Sequence, residues 1–250
     1  MTDRNFIAFI TGATSGIGAA IARRLASNGY RVIAVGRRGD RLNALAAELG
    51  DRCLPRYLDV TDGPSVARAV AELPEGFRQI TTLINNAGVS LGNAPAHKAE
   101  LTDWERTVAT NVNGLLYCTH AVLPGMVERD FGDIINVGSI GATHPYPRNA
   151  VYGGTKAFIR QFTMSLRADL LGANIRAVCI EPGIVETEFA YVRMGEAARA
   201  FYDRPNLLKA ENIAELMHVL LTLPRNVNID TMEVMPLIQS YGYPTLAKIK

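Results

Sequence analysis

The chain has 250 residues, 48 % hydrophobic and 20 % charged, with 26 Lys and Arg against 24 Asp and Glu for a net charge of +2. That length suits a large α/β domain with a sizeable core, and the small net charge gives no reason to expect nucleic acid as a partner. No apolar run reaches membrane-spanning length, no signal peptide precedes the first strand-like run, and Cys53, Cys118 and Cys179 are too few and scattered for a disulfide framework, so buried thiols in a reducing, cytoplasmic setting are expected.

Apolar runs alternate with amphipathic stretches along the chain. Phe6–Thr11 reads as a first strand, Gly16–Asn28 as a helix, and Arg31–Gly36 as a second strand, followed by a helix ending near Gly50. Cys53–Leu58 and Ile80–Asn85 read as the third and fourth strands, with a helix between them. One long helix is expected over Thr102–Glu128, a fifth strand over Asp133–Val137, a helix over Val151–Leu171 and a sixth strand over Ile175–Ile180. Repeated βα units require crossovers between parallel strands, so the pattern predicts an α/β fold with a Rossmann-like, doubly wound parallel sheet. With no repeat or linker, residues 1–250 read as a single domain. Residues 187–205 break the rhythm and are placed to cover a site at the carboxyl ends of the strands. The tail over residues 236–250 carries Tyr241, Tyr243, Leu246 and Ile249, apolar enough to dock on a neighbouring subunit.

The glycines Gly12, Gly16 and Gly18 lie between a strand-like run and a helix, in the stretch Thr11-Gly-Ala-Thr14-Ser15-Gly-Ile17-Gly18. Backbone N–H groups and the helix dipole at such a junction receive a pyrophosphate. An acid at the end of the second strand would select NAD through the ribose hydroxyls. Arg37 and Arg38 stand there instead, and two guanidiniums suit the 2′-phosphate of NADP(H). Asp59 and Val60 follow the third strand, where a carboxylate suits the adenine amine. Asn86, Ala87 and Gly88 follow the fourth and pass small residues beneath the cofactor.

Tyr152 and Lys156 are four residues apart, on one helical face, and Ser139 lies just past the fifth strand. A phenol loses its proton near pH ~10, and Lys156, the nicotinamide charge and the Ser139 hydroxyl are together expected to lower that value. Gly153 and Gly154 weaken this helix, a cost that close approach of the cofactor would explain. His97, His120, His144 and His218 lack the spacing of a zinc motif, so no metal site is indicated.

The ordered set Thr11-Gly12-x-x-x-Gly16-x-Gly18, Asn85-Asn86-Ala87-Gly88, Asn111, Ser139, Tyr152, Lys156 and Pro182-Gly183 resembles the short-chain dehydrogenase/reductase family over essentially the whole chain. The resemblance implies a seven-stranded sheet and hydride transfer at nicotinamide C4. It implies Tyr152 as the acid of reduction, Ser139 on the substrate oxygen, and Lys156 on the nicotinamide ribose. It further implies Asn111 in a proton relay, cofactor contacts from Pro182, Gly183, Val185 and Thr187, and assembly to a homotetramer. Pro95-Ala-His-Lys98, Ile180-Glu-Pro-Gly183 and Met235-Pro-Leu-Ile-Gln-Ser-Tyr241 narrow it to the NADP-dependent 3-hydroxy acid dehydrogenases and their sulfoacetaldehyde-reducing relatives. Tyr146, Arg148, Arg193 and Tyr241 are the expected partners of a small anionic substrate. Pro147-Arg148-Asn149 departs from the hydroxy acid enzymes, and an extra arginine there leans the expectation towards sulfoacetaldehyde reduction to isethionate. Oxidation of 3-hydroxy acids such as serine, allo-threonine or 3-hydroxypropionate is the alternative.

Overall fold

A computed structural model describes residues 6–203 and 205–241. The described chain opens with strand β1 (Ile7–Thr11), helix α1 (Gly16–Ser27), β2 (Arg31–Gly36), α2 (Gly39–Leu49), β3 (Cys53–Tyr57), α3 (Gly63–Ala71) and β4 (Thr82–Asn85). There follow α4 (Leu101–Val108), α5 (Gly114–Glu128), β5 (Gly132–Val137), α6 (Ala150–Asp169) and β6 (Ile175–Pro182). The last part holds β7 (Val185–Glu186), α7 (Phe189–Met194), α8 (Ala197–Tyr202), β8 (Leu208–Lys209), α9 (Ala210–Thr222) and β9 (Thr231–Val234).

Seven strands form one sheet in the order β3-β2-β1-β4-β5-β6-β9, every neighbouring pair parallel. The side-chain period of two divides the core cleanly between its faces. Ala8, Ile10, Val32 and Ala34 point to one face, where Ile21 and Leu25 of α1 meet Ile213 and Met217 of α9. Ile7, Phe9, Ile33 and Val35 point to the other, against Val66 of α3, Val122 and Met126 of α5 and Leu166 of α6. Both faces are covered, which is why these strands are continuous apolar runs rather than alternating ones.

At the amino end of β5, Asp133 accepts from Arg176 Nε at 2.6 Å and from Arg225 Nη1 at 2.7 Å, with Asp133 and Arg176 buried. Arg225 also lies over the Phe131 ring, 4.3 Å from its centroid. This pairing ties β5, β6 and the turn before β9 at the end of the sheet remote from the glycine-rich turn.

The long helix expected over Thr102–Glu128 is broken. A π turn over Ala109–Asn113 separates α4 from α5, with Gly114 N–H donating to the carbonyl of Ala109. Its cause is tertiary: Asn111 Oδ1 accepts from Val89 N at 2.8 Å, and Nδ2 donates to Val89 O at 2.9 Å and Thr155 Oγ1 at 3.0 Å. Segment 187–205 is built from α7 and α8, flanked by the small β7–β8 pair. Most of the expected docking tail, residues 242–250, lies outside the described residues.

Candidate functional site

The carboxyl ends of the strands open into a cleft of about 880 Å³, a size suited to a cofactor with a small substrate. Its floor is set by the glycine-rich turn. Gly12 has φ +68°, and a Cβ there would stand 2.8 Å from Asn86 Nδ2. Gly18 lets α1 close on that turn, since a Cβ would stand 2.3 Å from the Gly12 carbonyl oxygen. Gly12, Thr14, Ser15, Gly16 and Ile17 line the cleft, whereas Gly18 does not. Thr11 is buried beneath it, and its hydroxyl accepts from the N–H groups of Asn86 and Ala87 at 3.0 and 2.9 Å. The two fingerprint residues Thr11 and Gly18 therefore shape the turn from below.

Arg37, Arg38, Asp59, Val60, Asn86, Ala87 and Gly88 line one half of the cleft, and Pro182, Gly183, Val185 and Thr187 close it from the side of β6. Arg38 is held in place, with Nε and Nη2 donating to Thr14 Oγ1 at 3.1 and 2.9 Å and Nη2 to Ser15 Oγ at 2.6 Å. Arg37 is more exposed and lies 3.5 Å from Asp59 Oδ2. Asp59 Oδ1 accepts from the amide and hydroxyl of Thr61.

Ser139, Tyr152 and Lys156 meet in the other half. Ser139 caps a short 3-10 turn and accepts from Gly141 N at 3.1 Å. Lys156 is 4 % exposed. Its Nζ donates to Val137 O at 2.7 Å and stands 5.6 Å from the centre of the Tyr152 ring. Burial lowers the Lys156 amine to about 8, against an opposing pull from Cys179 and Glu181. Without the nicotinamide charge that the expected lowering includes, the Tyr152 phenol stands above its ordinary value. Burial raises it, and a hydrogen bond with Ser139 and the charge of Arg193 offset only part of that. Removing a phenolate from water costs more than these neighbours return. Gly153 has another reason than close approach of a cofactor, since a Cβ there would meet the Gly141 carbonyl at 3.0 Å, whereas Gly154 faces open space and has no such constraint. Asn111 is buried outside the cleft wall, its side chain committed to Val89 and Thr155.

Tyr146, Arg148 and Arg193 line the same cleft. Arg193 Nη2 donates to Arg148 O at 2.8 Å, and its guanidinium carbon lies 5.8 Å from the Tyr146 ring centre. Arg193 Nε is buried and has no hydrogen-bond partner among the described residues. Arg148 itself is exposed, with φ +62°. Burial raises the Tyr146 phenol. Tyr241 is not brought to the site: it is 61 % exposed, and its ring lies 4.5 Å from that of His144. Gln239 takes the inward place, accepting from Ile184 N at 2.8 Å. Glu188, Phe189 and Gln239 are cleft residues that the sequence reading missed. The stretch Met235–Tyr241 contained Gln239, but nothing in its pattern said which side chain turns inward.

Residues 6–195 match the family model described as short chain dehydrogenase. An NADP-dependent 3-hydroxy acid dehydrogenase of Salmonella typhi is 49 % identical over 240 residues, covering 94 % of this chain and 97 % of that protein. A serine 3-dehydrogenase of Rhizobium radiobacter is 48 % identical over 236 residues, covering 93 % and 94 %. Among solved structures, the closed form of a serine dehydrogenase complexed with NADP+ superposes with a TM-score of 0.93 at 46 % identity, covering 98 % of this chain and 100 % of that one.

Proposed function

The chain belongs to the short-chain dehydrogenase/reductase family, and on that premise we propose that it is an NADP-dependent oxidoreductase interconverting a 3-hydroxy acid and its 3-oxo acid. The observation that carries the substrate class is Arg193, whose half-buried guanidinium lines the cleft beside Tyr146 and whose charge reaches the Tyr152 phenol. A guanidinium in that state suits a carboxylate. The similarity to 3-hydroxy acid and serine dehydrogenases supports the same class. The lean towards sulfoacetaldehyde gives way, because it rested on Arg148. Arg148 is exposed, and it is its carbonyl, not its guanidinium, that Arg193 engages.

A nicotinamide dinucleotide phosphate fits the residues present. The positive-φ turn at Gly12 and Gly16 opens backbone towards a pyrophosphate, and Arg37 and Arg38 stand where a 2′-phosphate would lie. Bound NADP supplies the hydride acceptor or donor at nicotinamide C4. Ser139 orients the substrate oxygen. In reduction Tyr152 gives it a proton, and in oxidation Tyr152 receives one. Without cofactor the phenol holds its proton, which suits reduction; oxidation needs the phenolate, which the positive nicotinamide ring of bound NADP+ would favour. Lys156, anchored to Val137 O, presents its amine to the ribose and to the phenol. Asn111 fixes the π turn through Val89 and Thr155. The reading includes a single domain over residues 1–250, with 187–205 covering the substrate, in a cytoplasmic homotetramer.

The test is a parallel assay of serine, allo-threonine, 3-hydroxypropionate and isethionate with NADP+ and NAD+. At least one 3-hydroxy carboxylate should exceed isethionate in kcat/KM by about tenfold or more, with NADP+ preferred. Preference for isethionate, or equal use of the two cofactors, would overturn the reading.

A further inference from the structure

We propose that Glu188 is a positioning residue that carries the state of the cofactor's 2′-phosphate subsite to the segment covering the substrate. The inference rests on the NADP reading above. Glu188 Oε2 accepts from Arg38 Nη1 at 2.8 Å, and Oε1 accepts from Arg41 Nη1 at 2.6 Å. Arg38 precedes the first residue of α2 and Arg41 lies on its first turn, so one carboxylate is gripped from two adjoining positions. Arg38, hydrogen-bonded to it, and then Arg41 hold the Glu188 carboxyl below its ordinary range. It is therefore ionised wherever a phosphate monoester is mostly dianionic.

Glu188 is also the residue before α7, and that helix carries its consequences to the substrate. Phe189 places its ring 5.7 Å from that of Tyr152. Arg193, in the last turn, holds the Arg148 carbonyl. The segment is thus fastened to the adenosine side of the cleft at one end and to the substrate loop at the other, with Tyr152 between.

A shared guanidinium at this corner gives the coupling its sign. Arg37, Arg38 and Arg41 face Asp59 and Glu188, leaving one positive charge in excess. A 2′-phosphate brings roughly −1.5 to −2 and makes the corner net negative, so the two anions couple favourably only through a guanidinium that bridges them. Arg38 is already fixed by Thr14 and Ser15, so a phosphate held by it and by the more exposed Arg37 rests on a guanidinium that Glu188 also grips, as preorganisation requires. Occupation of the subsite should therefore hold the covering segment down. A cofactor without the phosphate should not.

The probes are adenosine 2′,5′-bisphosphate and AMP, added to the full-length protein and to its Glu188→Gln and Arg41→Gln variants. Binding is followed by calorimetry. Opening of the segment is followed by tryptic cleavage after Arg193 or Arg199, which needs local unfolding. In the unaltered protein the bisphosphate should bind more tightly than AMP and slow this cleavage about fivefold or more relative to AMP, the lower range of ordinary coupling. In Glu188→Gln that difference should vanish, and Arg41→Gln should reduce it. The KM for the 3-hydroxy acid should be lower with NADP+ than with NAD+ in the unaltered protein, and the two values should converge in Glu188→Gln. If the bisphosphate binds no better than AMP to the unaltered protein, the NADP reading fails and the proposal with it. If it binds better but protects Glu188→Gln as well as the unaltered chain, Glu188 carries no coupling and the NADP reading stands.

Discussion

At Tyr152 and Lys156 the same burial acts in opposite directions. It raises a group that is neutral when protonated and lowers one that is charged when protonated. Tyr152→Phe removes the phenol that lies beside Ser139 and Lys156. Its kcat should fall by ~10²–10⁴-fold while NADPH binding, measured by fluorescence titration, stays within about twofold. Lys156 allows a test through stability. Its folded value of about 8 lies below the ordinary 10.5, a gap equivalent to roughly 3 kcal/mol at neutral pH. The unfolded chain binds the extra proton between about pH 8 and 10.5, so stability rises with pH across that window. Lys156→Met abolishes this cost but leaves the Val137 carbonyl without its donor, which takes back about 1 kcal/mol or more. The variant should be inactive yet melt some 2–6 °C higher at pH 7, with the advantage shrinking towards pH 10.5. A lower Tm at pH 7 would show that the buried amine is not a liability.

Among the elements, β5 and β6 are bound together at one end by a buried ion pair and at the other by the site. Asp133→Ala should destabilise the protein by about 3–5 kcal/mol in denaturant unfolding, because Arg176 would keep an uncompensated buried charge. Turnover at temperatures where the variant is folded should survive, since Asp133 lies away from the cleft. Strands such as Ile7–Thr11 and Ile175–Pro182 were legible in the sequence because helices cover both faces and leave unbroken apolar runs. The glycine turn, the arginine pair, Ser139, Tyr152 and Lys156 were legible because each chemistry constrains residue type at fixed spacing. The break at Asn111 was not, because its cause is Val89, 22 residues away, and helical periodicity records only near neighbours. Spacing reveals an ammonium near Tyr152 but not how far the cleft walls desolvate the phenol before a cofactor binds. The choice of Gln239 over Tyr241 depends on how the chain turns after β9, which no local pattern fixes.

For the whole molecule, the surface of the described residues keeps several large apolar side chains on its helices. Tyr117 on α5 is 39 % exposed, and Phe158 and Met164 on α6 are 37 % and 46 % exposed. Aromatic and methionine side chains of this kind are enriched where subunits meet. Light scattering at micromolar concentration should give about four chains per particle, and Phe158→Glu with Met164→Glu should give a smaller one, since burying new charge at an interface is costly. A monomer before substitution would refute the assembly. The contact of Glu188 with Arg38 bears on redesign. To engineer this enzyme for NADH, the obvious single exchange is Arg38→Asp, which supplies the acid that a ribose diol prefers. Here that exchange would set two carboxylates against each other across the gap that an ion pair now spans at 2.8 Å. The covering segment would be pushed off its seat, and both cofactors should lose kcat/KM. Combining Arg38→Asp with Glu188→Gln removes the repulsion, so the double variant should outperform the single one with NADH. In this scaffold cofactor preference is a property of two sites at once, and a designer who edits only the nucleotide pocket edits the substrate door as well.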